Sequence, residues 1–324
     1  MTAKSNSDTL VTVYGGSGFL GRHVVRALAK RDYRIRVAVR RPDLANFLQP
    51  LGRVGQIHAV QANLRDARSV EAAARDADVL INLVGLLAEG GRQRFDSIHS
   101  FGAEQVALAA NAHGARMGDV SAIGADEQSP AAYARSKAVA ERLVLAAQPS
   151  AIVMRPSILF GPEDDFFNRF AALARFSPAL PLIGGGLTRF QPVFVGDVAK
   201  AIANAADGKL RTGTIYELGG PEVLTFKELM QFILATIERN RILVPLPFFA
   251  AKLKAMLLQF APAPLTLTPG QVEMLRTDNV VSEQAVTERR TLQGIGIAPE
   301  TIEAIVPGYL WRFRRTGQCK SRVA

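Results

Sequence analysis

The sequence predicts an α/β protein: a parallel sheet wound on both faces by helices, followed by a smaller C-terminal α/β lobe. Three observations carry that expectation. Apolar runs alternate with helical patterns through the first 156 residues. Val11-Thr-Val-Tyr-Gly-Gly-Ser-Gly-Phe-Leu-Gly21 runs a strand straight into a glycine-spaced turn and then a helix. The texture changes after Arg155-Pro156, where Gly161-Pro162, Pro178, Pro181 and Gly184-Gly-Gly186 mark loops.

Taken in order, strands are expected at 10–14, 34–39, 57–60, 79–84, 117–121 and 151–154, and helices at 19–30, 68–75, 96–112 and 132–147. The first helix places Leu20, Val24, Val25 and Leu28 on one face. Gly118 and Asp119 interrupt the fifth strand, which is accepted from the order of elements. Short elements follow at 191–206 and 214–218, and Thr225 with Glu228 forms a capping box opening a further helix. In 246–260, Leu246, Phe249, Ala250, Leu253, Met256, Leu257 and Phe260 share a helical face, with Lys252 and Lys254 off it. The expected division is a dinucleotide-binding, Rossmann-like domain over 8–156, with 189–218 packing back on the sheet. A lobe and basic tail take 157–188 and 219–324.

Composition bounds the function. The chain has 324 residues, 48% hydrophobic, enough for a large core. Net charge is +10, from 39 Lys+Arg against 29 Asp+Glu. That balance admits nucleic acid, anionic lipid, a phosphorylated ligand or an acidic partner. Helix-turn-helix, zinc-finger and basic-aromatic RNA signatures are missing from the sequence, so nucleic acid is not expected. Part of the charge (Arg34, Arg36, Arg40, Arg41) surrounds the second strand, and part (Arg312, Arg314, Arg315, Lys320, Arg322) lies in the tail. Cys319 is the single cysteine, and His23, His58, His99 and His113 show no metal-ligand spacing, so neither an intrachain disulfide nor a metal is expected. A first strand by residue 10 leaves no room for a signal or transit peptide, and no apolar stretch reaches the roughly 18–20 residues of a membrane span. The expectation is a soluble or peripheral protein.

The candidate chemistry begins at the glycines. Positions 15, 18 and 21 read GxxGxxG, and 16, 18 and 21 read GxGxxG. Such a turn lets backbone approach a pyrophosphate, and the following helix aims free N–H groups and its positive end at it. Gly15, Ser17, Gly18, Phe19, Leu20 and Gly21 are the expected contacts. Arg40 and Arg41 close the second strand, where NAD-binding folds carry an acidic residue; an arginine there pairs with a 2′-phosphate, so NADPH is expected, with Arg40 the better placed. A solvated basic turn is the alternative. Asn63 and Leu64 should lie near the adenine, while Asp66 reads as a helix cap. Val84 and Gly85, after Asn82, would wall the cofactor cleft; a simple strand exit is the alternative for Asn82.

Tyr133-Ala-Arg-Ser-Lys137 reads YxxxK, which puts both side chains on one helix face. A lysine ammonium beside a phenol lowers its pKa toward working range. Ser121, twelve residues before Tyr133, could polarise a carbonyl. Lys137 in that position also serves binding alone, through the nicotinamide ribose. Glu163, Asp164 and Asp165 read as a solvated acidic loop.

With these residues in view, the chain resembles the atypical or extended short-chain dehydrogenases/reductases. The resemblance rests on Gly15–Gly21, Asn63-Leu64, Val84-Gly85, Ser121, Tyr133 and Lys137, Arg155-Pro156, Val195-Gly-Asp-Val198 and Tyr216-Glu-Leu-Gly-Gly220. It implies NAD(P)(H) binding, adds Pro156 and Ile158 to the cofactor contacts, and admits epimerase, dehydratase and reductase activities. Within that family the chain is similar to the NADPH-binding accessory subunits of respiratory complex I, NADH:ubiquinone oxidoreductase. Val39-Arg-Arg-Pro42, Val120–Asp126, Tyr133–Ala138, Arg155–Asp164, Gln191–Val198 and Gln271–Ser282, including Asp278-Asn-Val-Val281, carry this likeness.

The resemblance implies a tightly held structural NADPH and docking among other complex I subunits, on the peripheral arm near the membrane and quinone site. In a bacterial form that is the cytoplasmic face of the inner membrane. The 246–260 face is open between core packing and an interface, and Tyr309–Arg315 is expected to meet a partner or an anionic membrane surface. One departure is implied by eye: where active relatives carry an asparagine after the fourth strand, this chain has His99, which would alter the proton-relay site. A free NADPH-dependent reductase or nucleotide-sugar epimerase using Ser121, Tyr133 and Lys137 is the alternative, and a redox sensor of NADPH occupancy a third.

Overall fold

The computed structural model describes residues 4–259, 261 and 266–317. Phe260, Cys319, Lys320 and Arg322 lie outside the described residues. The chain forms two compact units. Unit one takes the chain up to Pro156, Gly196–Leu218 and Glu283–Ile297; unit two takes Ser157–Val195, Gly219–Ser282 and the chain from Ala298.

Unit one opens with β1 (Leu10–Tyr14), α1 (Phe19–Ala29), β2 (Arg34–Val39), β3 (Ile57–Gln61), α2 (Ala67–Ala74) and β4 (Val79–Asn82). It continues through α3 (Phe101–Ala112), β5 (Arg116–Val120), α4 (Ala132–Ala147) and β6 (Ile152–Pro156). The chain then passes through unit two by β7 (Leu159–Phe160), α5 (Phe166–Phe176), β8 (Ala179–Ile183), β9 (Arg189–Phe190) and β10 (Val193–Phe194). It returns by α6 (Val195–Ala206) and β11 (Ile215–Leu218).

The seven-stranded sheet of unit one runs β11-β6-β5-β4-β1-β2-β3, and every pairing is parallel. Helices on both faces bury it, which is why its strands read as near-continuous apolar runs. Val11, Val13 and Val37 are fully buried. Strand order reverses beside β1, and in such sheets ligands bind outside the carboxyl ends at that switch point.

Two differences from the sequence reading bear on the site, while the other element ends shift by at most two residues. The expected strand 79–84 stops at Asn82, whose Oδ1 accepts the Val84 N–H at 3.2 Å and turns the chain out of the sheet. The expected helix 96–112 is broken: Asp96–Ser100 is a π-turn, and α3 starts only at Phe101. The doubtful fifth strand is present. Gly118 faces a cavity of about 40 Å³ lined also by Ile81, Met154, Ile202 and Ala206.

Unit two continues with β12 (Leu224–Thr225), α7 (Phe226–Thr236), β13 (Ile242–Leu246) and α8 (Phe248–Leu258). The Thr225–Glu228 capping box forms in both directions. The core is aromatic: Phe166 meets Phe167, Phe170 and Phe226 at centroid distances of 5.3, 5.2 and 6.2 Å, edge to face.

Two expectations are corrected here. Asp164 is not a solvated loop charge. It is 3% exposed, and its carboxylate accepts N–H bonds from Gly161, Phe167 and Asn168 and the hydroxyl of Tyr309. The Tyr309–Arg315 segment is not an unpartnered surface: Tyr309, Leu310 and Phe313 belong to the unit's core, and Arg314 Nε caps the Thr236 carbonyl at 2.9 Å. The 246–260 segment divides. Helix α8 buries Ala251 and Ala255, and leaves Phe249, Leu253, Met256 and Leu257 exposed.

Candidate functional site

The turn after β1 is held by its own backbone. Gly15 has φ +79°, donates to the Ala38 carbonyl at 3.1 Å and accepts the Gly18 N–H at 3.0 Å. A Cβ on Gly21 would lie 2.3 Å from the Gly15 oxygen, so turn and helix touch through backbone alone. Gly18 is the N-cap of α1 and offers no capping side chain, which leaves the first-turn N–H groups to a ligand. Leu20 is buried behind them, and Phe19 sits edge-on to His23 at 5.8 Å; Ser17 is half-buried in the turn. The residues present therefore fit a pyrophosphate.

Arg40 and Arg41 follow β2, both exposed. Arg41 forks onto Asp43 at 3.1 and 2.7 Å, and that hydrogen bond holds the Asp43 carboxyl below its usual range. Arg40 makes no ion pair among the described residues. After β3, Asn63 folds back on its own loop, accepting the Arg65 N–H at 3.2 Å. Leu64 packs against Gly102 of α3, 5% exposed. Asp66 caps α2 through the Arg68 N–H.

The turn after β4 brings the remaining unit-one candidates together. A Cβ on Gly15 would touch Val84 Cγ2 at 3.0 Å. A Cβ on Gly85 would lie 3.6 Å from Lys137 Nζ and 3.8 Å from His99 Nε2. Lys137 donates to the Val120 carbonyl at 2.9 Å. Tyr133, one turn earlier on α4, meets the rings of His99 and Phe95 edge-on at 5.6 and 6.1 Å. Ser121 follows β5; its N–H donates to the Met154 carbonyl at 2.7 Å, while its buried hydroxyl has no partner among the described residues. Pro156 ends β6. Ile158 belongs to unit two, where its N–H donates to Asn279 Oδ1 and its carbonyl accepts the Val193 N–H.

Electrostatics modify the expected chemistry. Burial pushes the Tyr133 phenol up to about 12, and Lys137 does not offset this. Burial also lowers Lys137, against the pull of Asp119 and Glu141, and raises Asp119, against Lys137 and Asn82. Tyr133 thus keeps its proton firmly at neutral pH, a poor match for a general acid.

Sequence reasoning missed the support under this site. Asn82 Nδ2 donates to Asp119 at 2.7 Å, and Arg155 grips Glu141 through two bonds of 2.8 and 2.6 Å. The available signal was Asp119 itself, a carboxylate in a central parallel strand, where an ionisable group persists only with partners. Ser136, inside the YxxxK spacing, was also passed over; it bonds His99 Nδ1 at 2.8 Å.

Sheet order and the glycine turn together define a Rossmann-like α/β protein of the dinucleotide-binding class. The chain belongs to the NAD dependent epimerase/dehydratase family, whose model matches residues 11–219. It is 36% identical, over 97% of its length and 80% of the relative's, to the mitochondrial NADH dehydrogenase [ubiquinone] 1 alpha subcomplex subunit 9 of Arabidopsis thaliana. It is 37% identical to the ceramide reductase of Caulobacter vibrioides, over 59% of this chain and 58% of that one. Among solved structures, the NADPH-dependent quinone oxidoreductase QOR2 of Escherichia coli, complexed with NADPH, has a TM-score of 0.73. It is 18% identical, with 93% of this chain and 99% of that one covered, and shares the fold.

Proposed function

We propose that the chain is an accessory subunit of respiratory complex I that holds NADPH and docks peripherally on the arm near the membrane and quinone site. The observation that carries this reading is kinship along 97% of the chain with a protein named as an alpha-subcomplex subunit of NADH dehydrogenase. Arg40, which follows β2 and makes no ion pair among the described residues, supports NADPH, because a guanidinium there can fork onto a 2′-phosphate. The glycine turn, the uncapped start of α1, Val84-Gly85 and Lys137 are the residues that would hold the cofactor. Exposed Phe249, Leu253, Met256 and Leu257, with Lys252 and Lys254 on the same helix, support contact with an anionic membrane surface. Among the described residues no helix is long and apolar enough to cross a membrane. The expected location is the cytoplasmic face of a bacterial inner membrane.

The test is fractionation of native membranes in mild detergent, with mass spectrometry of the chain and of any nucleotide it releases. Co-migration with complex I subunits and one NADPH per chain is the expected result. A soluble protein that exchanges its nucleotide freely sinks the reading.

One observation favours a second reading, a free NADPH-dependent reductase or nucleotide-sugar epimerase: the Ser121 hydroxyl is buried without a partner among the described residues, in a chain that also carries Tyr133 and Lys137. Bound NADPH would supply the hydride. Ser121 would donate a hydrogen bond to the carbonyl oxygen, and Tyr133 a proton to the alkoxide that forms. Multiple turnovers on a carbonyl substrate would establish it.

A further inference from the structure

We propose that His99 is a positioning residue: a neutral imidazole bridge that fixes the Gly85–Leu86 turn to the Tyr133–Lys137 helix, with no nitrogen left to relay a proton. The direction of the bridge follows from which groups can only donate or only accept. The Leu86 N–H can only donate, and it lies 2.8 Å from His99 Nε2, so Nε2 presents its lone pair. The ring proton is therefore on Nδ1, which lies 2.8 Å from Ser136 Oγ. Ser136 Oγ lies 2.7 Å from the Tyr133 carbonyl, which can only accept, so the hydroxyl proton points there and the oxygen accepts from Nδ1–H. One consistent chain results: Leu86 N–H to His99, His99 to Ser136, Ser136 to the first turn of α4.

The surroundings select the neutral ring. His99 is 1% exposed, and Phe95 stacks on it at 5.2 Å. The titratable groups against it are Tyr133, edge-on at 5.6 Å, and the Lys137 ammonium, which opposes a second positive charge; both come from α4. Burial and that ammonium depress the imidazole to about 3. The π-turn Asp96–Ser100 gives the local reason His99 points inward, since it inserts an extra residue ahead of α3. Nε2 accepts from a backbone N–H that does not release its proton, so no relay runs through the ring, whereas the ring can hold two backbone segments at fixed spacing.

The consequence for the cofactor rests on the nicotinamide-dinucleotide reading: Val84 and Gly85 form its wall, and the bridge keeps that wall in register with Lys137. The experiment has two arms. The full chain, labelled with ¹⁵N-histidine, is followed by long-range ¹H–¹⁵N correlation from pH 8 to pH 5, with His99 assigned by its loss in His99→Gln. One unchanging Nδ1–H tautomer is expected for His99 across that range. An Nε2–H tautomer, or protonation of the second ring nitrogen within that range, overturns the bridge.

In the second arm, NADPH release is followed by loss of its bound fluorescence. His99→Phe keeps an aromatic ring but leaves the Leu86 N–H unpaired and removes the donor to Ser136 Oγ, and should release NADPH about tenfold faster or more. Ser136→Ala should act in the same direction, with the double variant no faster than His99→Phe alone. His99→Gln, whose amide has one acceptor and one donor, should restore slow release. Additive effects, or no rescue by glutamine, count against the bridge. If the unaltered chain binds no nicotinamide nucleotide, the cofactor reading fails, and the tautomer result then decides the bridge by itself.

Discussion

The two units solve different problems with different materials. Around its sheet switch point unit one buries the apolar face of α1, Leu20, Val24, Val25 and Leu28, and presents bare backbone there, the glycine turn and an uncapped helix start. Unit two locks an aromatic core with one buried carboxylate, Asp164, and leaves an apolar helix face outside, with Phe249 76% and Leu257 77% exposed. A unit that offers close-packed backbone is built for a small ligand that must come near. An exposed apolar helix face is what the proposed docking of unit two requires.

The largest expected effect tests the first half of that contrast. Gly21→Val pushes a branched side chain into the Gly15 carbonyl, with the first added carbon already at 2.3 Å, and neither backbone segment can yield without opening the turn. A loss of about 4 kcal/mol in chemical denaturation is expected, together with loss of nucleotide binding. Full stability in this variant would mean that turn and helix are not in backbone contact.

The next effect belongs to unit two. Asp164→Ala strands three N–H groups and the Tyr309 hydroxyl in the core, and about 3 kcal/mol should be lost. Tyr309→Phe, which removes only one of the four donors, should cost about 1 kcal/mol. Equal losses from the two changes would show that the carboxylate is not the centre of the network.

The third effect is a pH dependence of unit one. His99 has a folded-state pKa near 3, below its ordinary 6.5. Below pH 6.5 the unfolded chain therefore takes up a proton that the folded chain refuses. The stability from this group is complete above 6.5 and is lost as pH falls toward 3, at about 1.4 kcal/mol per pH unit. His99→Gln should flatten the acid limb by one proton; an unchanged slope would show that His99 is already charged in the folded state.

How far these contrasts were legible beforehand follows from the range of the interactions. Helix α1, Asp66 as a cap and the Thr225–Glu228 capping box could be read because each is decided within a few residues. The glycine turn was legible for the same reason. The interruption of 96–112 was not: it depends on His99 reaching Leu86 and Ser136, thirteen residues back and thirty-seven ahead. Asp164 looked like loop charge because its partner Tyr309 lies 145 residues away. The expected drop of the Tyr133 pKa was not met because spacing puts Lys137 on the same helix face but does not show the burial that raises the phenol.

Smaller effects sharpen the comparison. Gly118 lies in β5 without a positive φ, and a Cβ there meets nothing within 4 Å. Gly118→Ala should raise stability by about 0.5–1 kcal/mol, by restricting the unfolded chain and lining the cavity beside it. A loss in thermal or denaturant unfolding would mean that the sheet needs that space when α6 packs.

The smallest expected change in stability comes from the exposed face of α8. Leu253 is 65% exposed and Ala251 and Ala255 supply the buried side of the helix, so Leu253→Glu should move stability by less than about 0.5 kcal/mol. The same change places a carboxylate on the face assigned to an anionic surface. It should abolish co-sedimentation with vesicles containing anionic lipid while leaving nucleotide binding intact. Ala255→Glu is the control on the buried side: it should unfold α8, because a charge there would lie against Ile183 and Val272. A marked loss of stability in Leu253→Glu itself would mean that this face packs within unit two, and the contrast between a unit built around a ligand and a unit proposed to dock would then fall.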